Sequence, residues 1–94
     1  MSSIKTYIGF AVKSGANIKG ADDIIKTRKK VALILVEKDL KENSRKKIEE
    51  FSNKKNIPIL EVEVGLLNEL NLRGVKILAI TDENLANAVK KCIN

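Results

Sequence analysis

The sequence predicts an α/β protein, a three-layer α/β/α sandwich around a mostly parallel or mixed sheet of about four strands. Three observations lead there. Helical and strand-like patterns alternate from one end of the chain to the other, with no linker, low-complexity tract or internal repeat between them. Residues 31–36 read Val-Ala-Leu-Ile-Leu-Val, a run too apolar to face water on either side, as in a sheet covered by helices on both faces. Finally, 94 residues with 44% hydrophobic content supply one core and one domain.

The elements follow in order. Ile4, Tyr7, Ile8, Ala11 and Val12 recur at helical spacing, with Ser2 or Ser3 as N-cap. Gly15 is placed to end that helix in a left-handed conformation, and Lys13 suits its C-terminal dipole. An extended piece over residues 16–19 is broken by Gly20. Residues 21–28 then read as a second helix, with Asp22 and Asp23 at its positive end. After the strand 31–36, residues 40–55 form a charged helix whose narrow buried stripe is Ser44, Ile48, Phe51 and Ser52. Pro58 opens a strand over 59–64. Residues 65–72 read as a short leucine-rich helix and residues 75–80 as a strand. Thr81 or Asp82 caps a last helix that turns Leu85, Ala86, Val89 and Ile93 inward.

Composition removes most catalytic chemistry. There is no histidine, so neither a Ser–His–Asp nor a Cys–His arrangement can form, and the commonest metal ligand is missing. One cysteine, Cys92, allows no intrachain disulfide and no zinc cluster, and fits a reducing compartment. No phosphate-binding G-x-x-x-x-G-K-[ST] or G-x-G-x-x-G loop is present. The carboxylate pairs Asp22/Asp23, Glu49/Glu50, Glu61/Glu63 and Asp82/Glu83 each have a structural explanation at a helix start, a solvated helix face or one face of a strand. No apolar run approaches the length of about 20 residues that spans a bilayer. The first residues lead into an amphipathic pattern and not a secretory signal. The expectation is a cytoplasmic protein that binds and does not catalyse, with no cofactor, no metal and no membrane.

The formal net charge of +6 favours polyanionic partners, chiefly nucleic acid or an anionic membrane surface, and equally describes surplus lysine that keeps a protein in solution. Between residues 19 and 30, Lys19, Lys26, Arg28, Lys29 and Lys30 stand against Asp22 and Asp23, around a helix that starts at a glycine. Lys26 shares a helical face with both aspartates. Side by side, a lysine can donate to guanine O6/N7 and a carboxylate can accept from a base amino group. The same spacing also describes an ordinary surface ion pair.

Read over the whole chain, Ile8-Gly9-Phe10-Ala11, Gly15 and Gly20-Ala21-Asp22-Asp23-Ile24-Ile25-Lys26 resemble the opening of the kink-turn RNA-binding ribosomal-protein superfamily, the L-seven-Ae and L-thirty-e type proteins. The strand 31–36, Asp39, Asn43-Ser44-Arg45-Lys46-Lys47-Ile48, Ile57-Pro58, the strand 75–80 and Thr81-Asp82 continue the match, nearest to the bacterial YlxQ-like branch. The resemblance implies the same sandwich with a four-stranded mixed sheet, and an RNA-binding role associated with the ribosome or with translation or transcription factors. By position, Gly20 matches the glycine of the family's Gly-x-Asn-Glu-x-x-Lys pattern, Asp22 its asparagine, Asp23 its glutamate and Lys26 its lysine. In the family these side chains read the guanines of sheared G·A pairs. Lys13, Lys19, Arg28, Lys29, Lys30 and Arg73 would then contact phosphates.

Two departures accompany the match. Asp22 cannot donate a hydrogen bond as asparagine does. The Leu-Gly pair that precedes the family's second recognition loop is Leu67-Asn68 here. A protein-interaction module on the same fold is therefore the alternative, and a small-ligand binder at the sheet edge a third reading.

Overall fold

The computed structural model describes residues 4–93, with side chains as far as Cys92. The cap expected from Ser2 or Ser3 and the inward side chain expected of Ile93 lie outside the described residues. Among the described residues nine elements alternate as the sequence predicts: α1 (Ile4–Lys13), β1 (Asn17–Lys19), α2 (Ala21–Lys26), β2 (Leu33–Glu37), α3 (Glu42–Lys55), β3 (Ile59–Val62), α4 (Leu66–Glu69), β4 (Ile77–Ile80) and α5 (Glu83–Ile93). The strands form one sheet in the order β1-β4-β2-β3. β2 runs parallel to β3, while β4 is antiparallel to both of its neighbours, so the sheet is mixed.

Side-chain alternation along the strands builds two cores, one on each face. Ile34, Val36, Ile77 and Ala79 pack under Ile24 of α2 and Ile48 of α3. Leu33, Leu35, Leu78 and Ile80 face the other way, against Ile8 and Ala11 of α1, Leu67 of α4, and Ala86 and Val89 of α5. This is the expected three-layer sandwich. All five residues of β2 are buried because the strand is interior to the sheet and covered on both faces. Among the described residues no helix is long and apolar enough to cross a membrane.

Local chemistry explains where element ends differ from the expected ones. Helix α2 stops at Lys26 and not at residue 28, because Thr27 turns to an extended backbone and its Oγ1 accepts the Lys29 N–H at 3.1 Å. Helix α4 is a single turn and not an eight-residue helix, since Asn71 adopts a left-handed φ of 64°. Helix α3 begins at Glu42 and not at residue 40, because the Leu40 N–H closes a turn onto the Glu37 carbonyl at 3.0 Å. Strand β2 is shifted towards Glu37, β3 ends at Val62, and β4 starts at Ile77 after a turn in which Val75 N–H meets the Leu72 carbonyl at 3.1 Å. Gly15 is left-handed as expected, with φ 77°. Of the two cap candidates for α5, Asp82 acts: its Oδ1 accepts the Leu85 N–H at 3.0 Å.

The loops gather at two ends of the sheet. At one end lie residue 20, residues 38–41, the approach to α4 and residues 73–76; at the other lie residues 14–16, 27–32, 56–58 and the start of α5.

Candidate functional site

Gly20 is the hinge between β1 and α2. Its N–H donates to the Ile77 carbonyl at 3.0 Å, extending the β1–β4 pairing, while its carbonyl accepts the Ile24 N–H at 3.1 Å to start the helix. Meeting both demands places Gly20 at φ 84°, ψ 148°, a region essentially reserved for glycine. A Cβ built there would meet no atom within 4 Å, so the dihedral angle requires the glycine and the space above it is open.

That space is one wall of a cleft of about 540 Å³. Lys41 and Lys47, at the start of α3, and the loop 74–76 before β4 form the facing walls. Four lysines from three segments (Lys19 of β1, Lys41 and Lys47 at the start of α3, and Lys76 before β4) share the cleft with Asp22 and Asp39. The volume falls in the range of ordinary ligand sites.

One of these lysines is bound into a network. Lys76 Nζ lies 3.0 Å from Glu37 Oε1 and 3.1 Å from Asp39 Oδ2. Glu37 ends β2 on the same face as Leu33 and Leu35, 1% exposed. Its two carboxylate oxygens accept the Gly65 N–H at 3.1 Å and the Leu67 N–H at 3.0 Å, satisfying donors at the start of α4. Burial pushes the Glu37 carboxyl up. The Gly65 N–H, the Lys76 ammonium and the Leu67 N–H outweigh it and hold the group below its ordinary value of 4.5. Hydrogen bonds to Glu37 and Asp39 raise Lys76 in turn. The network ties the cleft's far wall, at residue 76, to β2 and α4.

The structure divides the residues singled out in the sequence. Lys19, Gly20 and Asp22 line the cleft, and Arg73 is exposed beside Gly74 on its rim. Asp23 and Lys26 are exposed on α2, and no ion pair joins Lys26 to either aspartate among the described residues. The Asp–Lys ion pair that the spacing allows is therefore not made. Arg28, Lys29 and Lys30 lie at the other end of the sheet, lining a second cleft of about 790 Å³. Lys13, in the last turn of α1, sits at that end too, three residues before Ala16, whose carbonyl accepts the Thr81 N–H at 3.1 Å.

Sequence reasoning missed Lys41, Lys47, Lys76 and Glu37. A usable signal existed for Glu37: it continues the alternation Leu33, Leu35 onto a buried face, where a carboxylate needs partners. The lysines carried no such signal, since they are separated along the chain and meet only in the fold. Among the described residues no three His, Cys, Asp or Glu side chains gather as a metal site.

No family model matches the chain, and no curated protein does. Solved structures do. A Bacillus halodurans protein of unknown function superposes with a TM-score of 0.85 at 15% identity, over 99% of this chain and 98% of its own. The Giardia lamblia 15.5kD RNA binding protein superposes with a TM-score of 0.75 at 16% identity, over 96% of this chain and 81% of its own. At these identities the likeness establishes a shared fold along nearly the whole chain.

Proposed function

We propose that this chain is a non-catalytic, cytoplasmic RNA-binding protein of the ribosomal L-seven-Ae-like type. It works with the translation machinery, needs no cofactor and recognises kink-turn RNA at the cleft headed by Gly20. One observation carries the reading: the glycine-started α2 opens onto a cleft whose walls bring four lysines from three segments around unfilled space. The net charge of +6, the motif resemblance along the sequence and the fold shared with the Giardia RNA-binding protein support it.

In this reading the backbone at Gly20 lets RNA approach closely. Asp22 and Asp23 accept from base amino groups, and Lys26 donates to a guanine edge. Lys19, Lys41, Lys47 and Arg73 meet phosphates and make affinity fall with salt. The absence of histidine removes the commonest general base, which supports binding over catalysis.

The test is a fluorescence titration against a kink-turn RNA and an unkinked duplex of equal length, at two salt concentrations. A preference of about tenfold or more for the kink-turn, lost on Lys26→Ala, is the expected result. Equal, salt-sensitive binding to both RNAs would reduce the protein to a general polyanion binder. No binding to either at low salt would hand the fold to the alternative, a protein-interaction module.

A further inference from the structure

The second cleft has a character of its own. Its cations come from three places in the fold: Arg28, Lys29 and Lys30 from the turn between α2 and β2, Lys55 from the last turn of α3, and Lys90 from α5. A single carboxylate, Glu83, faces them. It stands 3.6 Å from Lys30, with the two side chains 72% and 85% exposed, too wet to neutralise the group. The side-chain charges of Arg28, Lys29, Lys55 and Lys90 have no carboxylate partner among the described residues.

The floor between these cations is apolar, made by Val31, Ile57, Pro58 and part of the Phe51 ring. Two exposed amides, Asn56 and Asn87, stand at its sides. Asn56 is fixed in a left-handed conformation at the end of α3, with φ 57°.

We infer that this cleft is a second RNA-binding site, which takes a strand separate from the one held at Gly20 and so makes the protein a bridge between two RNA segments. Three physical matches point there. Unpaired cations on three sides of a concavity suit a phosphate backbone threading between them. Amides offer both a donor and an acceptor to base edges, which a purely anionic partner does not need. The apolar floor with its aromatic edge suits the faces of unstacked bases, as single-stranded RNA presents them. A concave site also fits a strand better than it fits a planar membrane.

The two clefts cannot be one continuous pocket. Ile77 lines the first, while Ala32 of the second donates its N–H to Ile80 at 2.8 Å. Strand β4 therefore sets about 10 Å of packed sheet between them, at roughly 3.3 Å per residue. The choice of RNA as polyanion rests on the function proposed above; the existence of a second polyanion site does not.

Two charge-reversal variants of the full chain, Lys55→Glu/Lys90→Glu and Lys41→Glu/Lys47→Glu, separate the sites. Each is first checked for an unchanged urea midpoint. Direct titration uses a fluorescent, mixed-sequence single-stranded RNA. A bridging assay asks whether kink-turn RNA on beads, loaded with protein, captures that fluorescent strand. The expected result is a loss of about tenfold or more in strand affinity for Lys55→Glu/Lys90→Glu, with kink-turn affinity kept within about twofold and bead capture abolished. The salt slope should fall by about 1.4, at roughly 0.7 per phosphate contact to a single strand.

Wild-type strand binding by Lys55→Glu/Lys90→Glu, or a loss confined to Lys41→Glu/Lys47→Glu, would overturn the second site. Equally tight binding of poly-L-glutamate of matched charge would overturn its assignment to RNA. If kink-turn RNA binds to no form of the protein, the function proposed above fails while the strand titration still decides the second cleft.

Discussion

Replacing Glu37 by glutamine isolates the charge of the one buried carboxylate among the described residues, at nearly constant volume. In the native protein its two oxygens accept the Gly65 and Leu67 N–H groups and the Lys76 ammonium, at 3.1, 3.0 and 3.0 Å. Glutamine offers one acceptor oxygen, and its NH2 must point at one of those donors. One buried N–H is then left without a partner, which costs about 1–3 kcal/mol, and a hydrogen bond to a charged acceptor is lost, at about 1.5–3 kcal/mol. The Lys76 side is discounted, because that side chain is 43% exposed and keeps Asp39. The expected loss is about 2–4 kcal/mol at about pH 7, read as a fall of roughly 2 M in the urea midpoint with unchanged slope.

The pH dependence supplies the sharper check. The folded-state pKa of Glu37 lies below 4.5, so as pH falls the unfolded chain takes up this proton first. The stabilisation from ionised Glu37 is therefore complete above the unfolded value and is lost as pH falls through the folded one. The gap between wild type and Glu37→Gln should be full at about pH 7 and should narrow below about pH 4.5. A gap under about 0.5 kcal/mol at neutral pH, or one that stays constant as pH falls, would refute the assignment.

Other substitutions test the fold around the clefts. Gly20→Ala should cost about 1–3 kcal/mol in chemical denaturation, since its φ of 84° is the obstacle and not space. Gly9→Ala, inside α1 with open space around it, should instead stabilise by about 0.5–1 kcal/mol. Asp82→Ala removes the cap from α5 and should lower stability by about 1 kcal/mol, with Asp82→Ser recovering most of it. Leu78→Ala, in a strand paired on both sides and 0% exposed, should cost about 2–5 kcal/mol by thermal or urea unfolding.

Most of the fold was legible because each element announces itself locally. The apolar run 31–36 implied a strand covered on both faces, and β2 is that strand. Ile48 and Ser52 implied the inner stripe of α3, and both are buried. Strand order and direction were not legible. Periodicity records which residues face inward and carries no sign of whether β4 runs with β2 or against it.

The site shows the same division. Gly20 was visible from its position between two patterns. The basic run from Lys19 to Lys30 reads as one cluster in sequence, yet α2 is about 9 Å long at 1.5 Å per residue and carries the chain from one end of the sheet to the other. Neighbours along the chain therefore line different clefts, while Lys19, Lys41 and Lys76 meet only because β1, β2 and β4 end side by side.

The two outermost strands have a consequence for behaviour at high concentration. β1 is three residues long and β3 four, so each offers few free backbone groups for a foreign strand to pair with. On and just beyond β3, Glu61 and Glu63 are held by Arg45 and Lys38 at 3.1 and 2.8 Å, placing charge along that border. Short, charged margins of this kind discourage edge-to-edge aggregation of a sheet whose central strands are aliphatic except for Glu37.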